Sequence, residues 1–266
     1  MPAIFQYEFM IKAFIVGGIL AIIIPLIGVV VVLKRLSMMG DALSHSSLTG
    51  VAAGLVFGFN PVIGAVAATL IASLSIEAVR KKIPEFSEMS IAIIMSAGIG
   101  LAGLLSGFIK NSTGFNSFLF GSIVAISNFE LIFVVITGLV VLISLIMLHK
   151  ELFFIAIDER GAILSGVPVK STNFIFTVLT AITVSIAART VGTLIVSSMM
   201  VVPVACAMQL SRSYKQTAFL SVLFAFVSTF IGLILSFYLG LKPGATIVIV
   251  CVMFLIIILT LKAVRR

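Results

Sequence analysis

The fold class this sequence predicts is an all-α, polytopic integral membrane helical bundle, and three observations carry the prediction. The 266 residues are 61% hydrophobic and only 10% charged, and the mean hydropathy is +1.35, outside what a soluble domain of this length tolerates. The apolar residues come in runs of about 20, the length that crosses a bilayer as a helix. Those runs lack the period-two alternation of a barrel strand, which leaves helices as the only way to satisfy the backbone in lipid.

The first run, Ile11 to Leu33, is longer than a secretory h-region, lacks a basic n-region and is not followed by a small-residue cleavage site, so it is expected to remain in the mature protein. Further windows fall at Ala42 to Phe59, Pro61 to Val79, Met89 to Ile109, Phe129 to Leu148, Thr172 to Ala188, Thr217 to Leu239 and Ala245 to Leu261. Two apolar stretches are irregular. Phe118 to Ser127 is too short to cross, and Val191 to Gln209 is interrupted by Gly192 and Pro203; such broken segments line cavities or return part-way in transporter-like chains. The longest polar stretch, Lys150 to Ser171, has the length of one interfacial helix. The expectation is a single membrane domain, 1–266, with eight or nine membrane segments, short broken or re-entrant helices, and no linker or internal repeat.

The charges report topology rather than a nucleic-acid partner. The net charge is +8 and the pI about 9.8, but the basic residues are scattered over short loops. Placing Lys34-Arg35, Arg80-Lys81-Lys82, Lys150 with Arg160 and Lys170, Arg212 with Lys215, and the tail Lys262, Arg265 and Arg266 on the cytoplasmic side leaves only Lys12, Lys110, Arg189 and Lys242 elsewhere. The carboxyl terminus is then inside, and nine passes put the amino terminus outside. Cys206 and Cys251 have no CxxC spacing and read as small packing residues that make no cluster.

One segment stands out chemically: Met39-Gly40-Asp41-Ala42-Leu43-Ser44-His45-Ser46-Ser47. A carboxylate in hydrocarbon costs about 2.5–3.5 kcal/mol at a helix centre, so such residues face a pathway or a partner. The i, i+4 spacing puts Asp41 and His45 on one helix face. An oxygen and a neutral imidazole nitrogen suit zinc, manganese or ferrous iron. Two protein ligands make an open site, loose enough for release; a two-fold axis would double the set. The alternative is that Asp41 caps a helix restarting near Gly40 and that His45 is hydrogen-bonded inside the bundle. His149 reads as interfacial, Glu77 as a helix-end ion pair with Arg80 and Lys81, and Glu130 and Arg189 as interfacial or pathway groups.

A second segment, Val201 to Lys215, places Pro203 at a helix start, followed by small apolar residues and a basic end. It reads as a short helix at the cytoplasmic surface able to dock on a soluble partner, or as an ordinary span end. No phosphate loop, HExxH or GxSxG motif occurs, so any energy input must come from another chain or an ion gradient.

Gly40-Asp41-Ala42-Leu43-Ser44-His45-Ser46 with Leu48-Thr49-Gly50-Val51-Ala52 resembles the signature of the membrane permease subunit of bacterial zinc/manganese/iron ABC importers. The resemblance continues through Phe118 to Ile123, Glu151 to Asp158, Ser165-Gly166-Val167, Val191 to Val196 and Val201 to Ala205, and so runs in order along essentially the whole chain. It implies a homodimeric permease in the bacterial cytoplasmic membrane, in contact with lipid, with two cytoplasmic ATP-binding subunits and an extracytoplasmic metal-binding protein, and no nucleic acid. It implies Asp41 and His45 as pathway ligands, a transported Zn2+, Mn2+ or Fe2+ in place of any permanently bound cofactor, and an ATPase-coupling helix from about Pro203 to Ser213 that includes Val204, Ala205, Ala207, Met208, Leu210 and Ser211. Two positions depart from the family pattern: Thr49 stands where many members have proline, and Ser198-Met199-Met200 replaces a more aliphatic stretch. The competing readings are an ion-coupled secondary metal transporter, in which the Asp41/His45 pair binds a proton, and an intramembrane metalloenzyme, which would need a third protein ligand. Asp plus His does not distinguish among the metals.

Overall fold

The computed structural model describes residues 3–83, 87–109 and 126–264. Among these residues the chain is helical, without strands. After a short 3-10 turn, Ala3–Gln6, come α1 (Glu8–Leu33), α2 (Met39–Phe57), α3 (Pro61–Lys82), α4 (Ser87–Ser106), α5 (Asn128–Met147), two short helices α6 (His149–Ile157) and α7 (Glu159–Leu164), then α8 (Val169–Thr190), α9 (Thr193–Leu210), α10 (Tyr214–Leu239) and α11 (Pro243–Val264). Seven of them, α1, α3, α4, α5, α8, α10 and α11, are long and apolar enough to cross a membrane.

The helix ends follow local chemistry. Pro61 sits at the start of α3, where its missing N–H costs nothing, and the Asn60 side chain accepts from Val62 N at 2.9 Å. Ser127 and Glu130 form a reciprocal capping box on α5. Gly58 and Gly240 close α2 and α10 in the left-handed conformation. Asp158 breaks the polar stretch 150–171 into α6 and α7, its Oδ1 accepting from Gly161 N at 3.0 Å, where the sequence suggests one interfacial helix.

Helix α1 is the core element: Val16, Leu20, Ile24 and Ile27 have no exposed surface. Aligned on it are α5, α8, α9 and α10, while α2 lies between α3, α4 and α9. Helices α4, α5 and α11 turn residues such as Ile93, Leu104, Ile136, Ile143, Ile249 and Ile256 outward, as lipid-facing helices do. Gly50 on α2 and Gly64 on α3 meet backbone to backbone; a Cβ on either would fall on the other's carbonyl oxygen.

Charged contacts gather at the two ends of the bundle. At one, Arg189 Nε meets Glu130 Oε1 at 2.9 Å, joining the end of α8 to the start of α5. At the other, Glu77 takes Arg80 Nε at 3.0 Å and Lys81 Nζ at 3.4 Å, the helix-end ion pair the sequence suggests. His149 lies there too, edge-on to Tyr214 at 5.5 Å between ring centres.

The helix carrying Asp41 starts at Met39, one residue from the restart expected near Gly40, and the α1–α2 turn closes through Met39 N donating to Leu36 O. One expectation changes. Pro203 does not start a helix: α9 begins after Gly192, whose φ of 108° breaks the chain, and continues through the proline to Leu210. Packing by α2, α10 and α11 around α9 outweighs the local signal. Cys206 and Cys251, distant in sequence, are brought together in the interior, with the Cys206 thiol 3.9 Å from the Cys251 carbonyl oxygen. Lys110 and the segment Phe118 to Ala125 lie outside the described residues.

Candidate functional site

Helix α2 presents one open stripe. Asp41, His45, Thr49 and Ala53 are half-buried, whereas Ala42, Leu43, Ser44, Ser46, Ser47, Leu48, Gly50, Val51 and Ala52 are buried against neighbouring helices. The close approach of α9 enforces this orientation, since Gly40 packs against the Ser197 backbone, as does the Gly50–Gly64 crossing with α3. The carboxylate and imidazole thus share the accessible face, one turn apart, as their spacing predicts.

The polar neighbours are satisfied locally. Ser44 Oγ donates to Gly40 O at 2.7 Å and Ser46 Oγ to Ala42 O at 2.8 Å, both one turn back on α2. Thr49 Oγ1 donates across to Gly98 O on α4 at 2.7 Å, a bond that a proline at this position could not make. Asp41 and His45, by contrast, have no side-chain hydrogen bond or ion pair with a described residue. Asp41 is therefore not a helix cap: the flanking residue is Met38, no side chain caps the helix, and the carboxylate lies inside the first turn.

No third histidine, cysteine, aspartate or glutamate joins the pair among the described residues. One chain offers a metal two ligands and several vacant coordination positions, which disfavours a closed structural site and a three-ligand hydrolytic one alike.

Of the proposed coupling residues, Pro203, Val204 and Ala207 are buried inside the bundle. Ala205 is half-buried; Met208 and Leu210 are 45% and 50% exposed, and the half-buried Ser211 shares a 2.7 Å hydrogen bond with Thr217. At the same end, α6 and α7 form an elbow whose inner residues Ile155 and Ala162 pack with Val169, while Ile157, Ile163 and Leu164 face outward. Glu130 and Arg189, open to either role from the sequence, pair with each other.

Sequence reasoning missed the cluster around Lys34. Its ammonium, at the end of α1, donates to Asn173 Oδ1 at 2.6 Å across 139 residues of sequence. Burial pushes Lys34 down to about 8, with the Arg80 charge adding to the effect and Glu159 and Glu77 opposing it. No spacing rule connects these residues; the one signal is a polar Asn173 at the start of an apolar span.

The ABC 3 transport family model matches residues 6–262. The chain belongs to the ABC 3 transport family. Consistent with membership, it is 33% identical over 251 residues to the manganese transport system membrane protein MntC of Listeria monocytogenes, covering 94% of this chain and 89% of that one. It is 30% identical over 261 residues to the high-affinity zinc uptake system membrane protein ZnuB of Haemophilus influenzae, covering 98% and 100%. Among solved structures, PsaBC from Streptococcus pneumoniae in complex with Fab superposes with a TM-score of 0.85 at 28% identity, over 96% of this chain and 92% of that chain. As a member of the ABC 3 transport family with seven membrane-length apolar helices, the chain is a multi-pass membrane protein of the metal-transporter permease type.

Proposed function

We propose that this chain is the permease subunit of an ABC importer that carries a divalent transition metal, zinc, manganese or iron, into the cytoplasm, with ATP hydrolysed on a partner subunit. Asp41 and His45 act as transient ligands on the pathway. The observation that carries this reading is the accessible stripe of α2, on which a carboxylate and an imidazole stand without a partner among the described residues while the neighbouring Ser44, Ser46 and Thr49 hydroxyls are hydrogen-bonded. A site of two ligands per chain binds loosely enough to release its ion.

Two copies related by a two-fold axis would bring two such stripes together and raise the ligand count to four. With α2 and α9 counted as crossings beside the seven longer helices, the chain passes nine times and its carboxyl terminus is cytoplasmic. The basic end that carries Arg80 to Lys82, the α6–α7 elbow and the tip of α9 then faces the ATP-binding subunits, with Met208 and Leu210 among the contact residues. An extracytoplasmic binding protein delivers the metal at the opposite end. Closure of the ATPases shifts the bundle between outward- and inward-open states.

The test is metal uptake into vesicles holding the permease and its ATPase. Uptake is expected to need ATP and the ATPase chain, to survive collapse of the proton gradient, and to be lost in Asp41→Ala and His45→Ala while the complex still assembles. Normal uptake by both variants would remove the ligand role, and uptake driven by the proton gradient alone would make the chain a secondary carrier.

A further inference from the structure

The Lys34 cluster joins four helices without using any residue of the metal stripe. Lys34 Nζ bonds Asn173 at the start of α8 and lies 5.5 Å from the centre of the Phe176 ring. Asn173 is 1% exposed, and its Nδ2 donates to Glu159 Oε1 at 3.1 Å. Glu159 is the first residue of α7, and its other oxygen accepts from Arg80 Nη1 at 3.3 Å. Arg80, near the end of α3, is held in turn by Glu77 through Nε at 3.0 Å and Nη2 at 3.1 Å.

Glu159 and Lys34, on either side of Asn173 in this chain of contacts, lie at mechanically different places. Glu159 belongs to a helix of six residues whose other anchorage is the small cluster of Ile155, Ala162 and Val169. Lys34 sits at the root of the α1–α2 turn, which is too tight to absorb movement: Arg35 takes a φ of 58°, Leu36 N bonds Val31 O at 2.9 Å, and Met39 N bonds Leu36 O at 2.8 Å. A displacement of Lys34 is therefore passed to α2. Buried ion networks of this kind give little net stability over apolar packing, so a role in holding one defined arrangement is the more economical account.

We propose that Lys34, Asn173, Glu159 and Arg80 are positioning residues that form a relay from the α6–α7 elbow to the root of α2, so that ATPase movement at the elbow is felt at Asp41 and His45. The relay rests on the reading of this chain as an ATP-driven permease. Asn173 is its switch point, since a side-chain amide accepts from Lys34 and donates to Glu159 at once.

The experiment uses the permease reconstituted in vesicles with its ATPase and binding protein, and reads ATP hydrolysis, metal ions taken up per ATP, and melting temperature. Glu159→Leu cuts the relay at its half-exposed end, where folding tolerates change; Asn173→Leu cuts it at the centre. In Glu159→Leu, hydrolysis is expected to stay within about twofold of wild type while ions per ATP fall about tenfold, the usual range for a coupling contact. Asn173→Leu should match it, the double variant should be no worse than either single one, and Glu159→Gln, which keeps an acceptor for one of the two donors but turns an amide N–H to the other, should fall between Glu159→Leu and wild type. A wild-type ratio in Glu159→Leu overturns the relay, as do parallel losses of hydrolysis and uptake, which would mark a docking or folding role, and additive losses in the double variant. If wild-type vesicles take up no metal with ATP, the permease reading falls and the relay with it; wild-type uptake beside an unaffected Glu159→Leu removes the relay alone.

Discussion

Glycine placement sets how near α2 comes to its neighbours. At Gly50 an added Cβ would collide with the backbone carbonyl of Gly64, which no side-chain adjustment relieves, whereas at Gly100 on α4 nothing lies within 4 Å. Gly50→Ala is therefore expected to destabilise the permease by about 1–3 kcal/mol, as overpacking does, while Gly100→Ala should leave stability unchanged or raise it by up to about 1 kcal/mol through helix propensity. Melting curves in detergent check the pair, and an unchanged Gly50→Ala would show that α2 and α3 can separate freely. Asp41→Asn separates charge from shape in the same region: the side chain keeps its size and loses its charge, so metal uptake should fall while stability changes by less than about 1 kcal/mol. What was legible in the sequence at this scale is the placement of Asp41 and His45 on one accessible helix face, which their i, i+4 spacing dictates. The bond from Thr49 to Gly98 was not, since its partner is a backbone carbonyl 49 residues away.

Helices are where local signals and tertiary packing disagree. The apolar windows recovered the long helices because a span of about 20 residues leaves little freedom. Pro203 misled because proline marks helix starts in general, yet here it is buried in the middle of α9, with neighbours on several sides supplying the packing that a broken hydrogen bond removes. Asp158 worked in the other direction, splitting one expected interfacial helix into two. That cap gives a local prediction. Asp158→Ala should cost about 1 kcal/mol, typical of a lost N-cap, and because α7 has only six residues the loss should appear as faster amide exchange confined to residues 159–165. Equal acceleration across α8 would mean that the elbow and the bundle unfold as one unit.

Over the whole molecule, segregation of basic residues predicts sidedness, and the exposed tips of the elbow and of α2 provide places to read it. Leu164 is 89% exposed and Phe57 is 72% exposed, at opposite ends of the bundle. With a membrane-impermeant maleimide on intact cells, Phe57→Cys should label and Leu164→Cys should label only after permeabilisation; the reverse pattern would invert the topology. Cys206 and Cys251 are buried and contribute little background. What no composition rule could supply is which helix is tied down near both of its ends. Helix α8 is secured near its start by Asn173, through Lys34 and Glu159, and at its finish by Arg189 against Glu130. A rod fastened at both ends resists sliding along its own axis more than turning about it, so freeing either end should let it tilt.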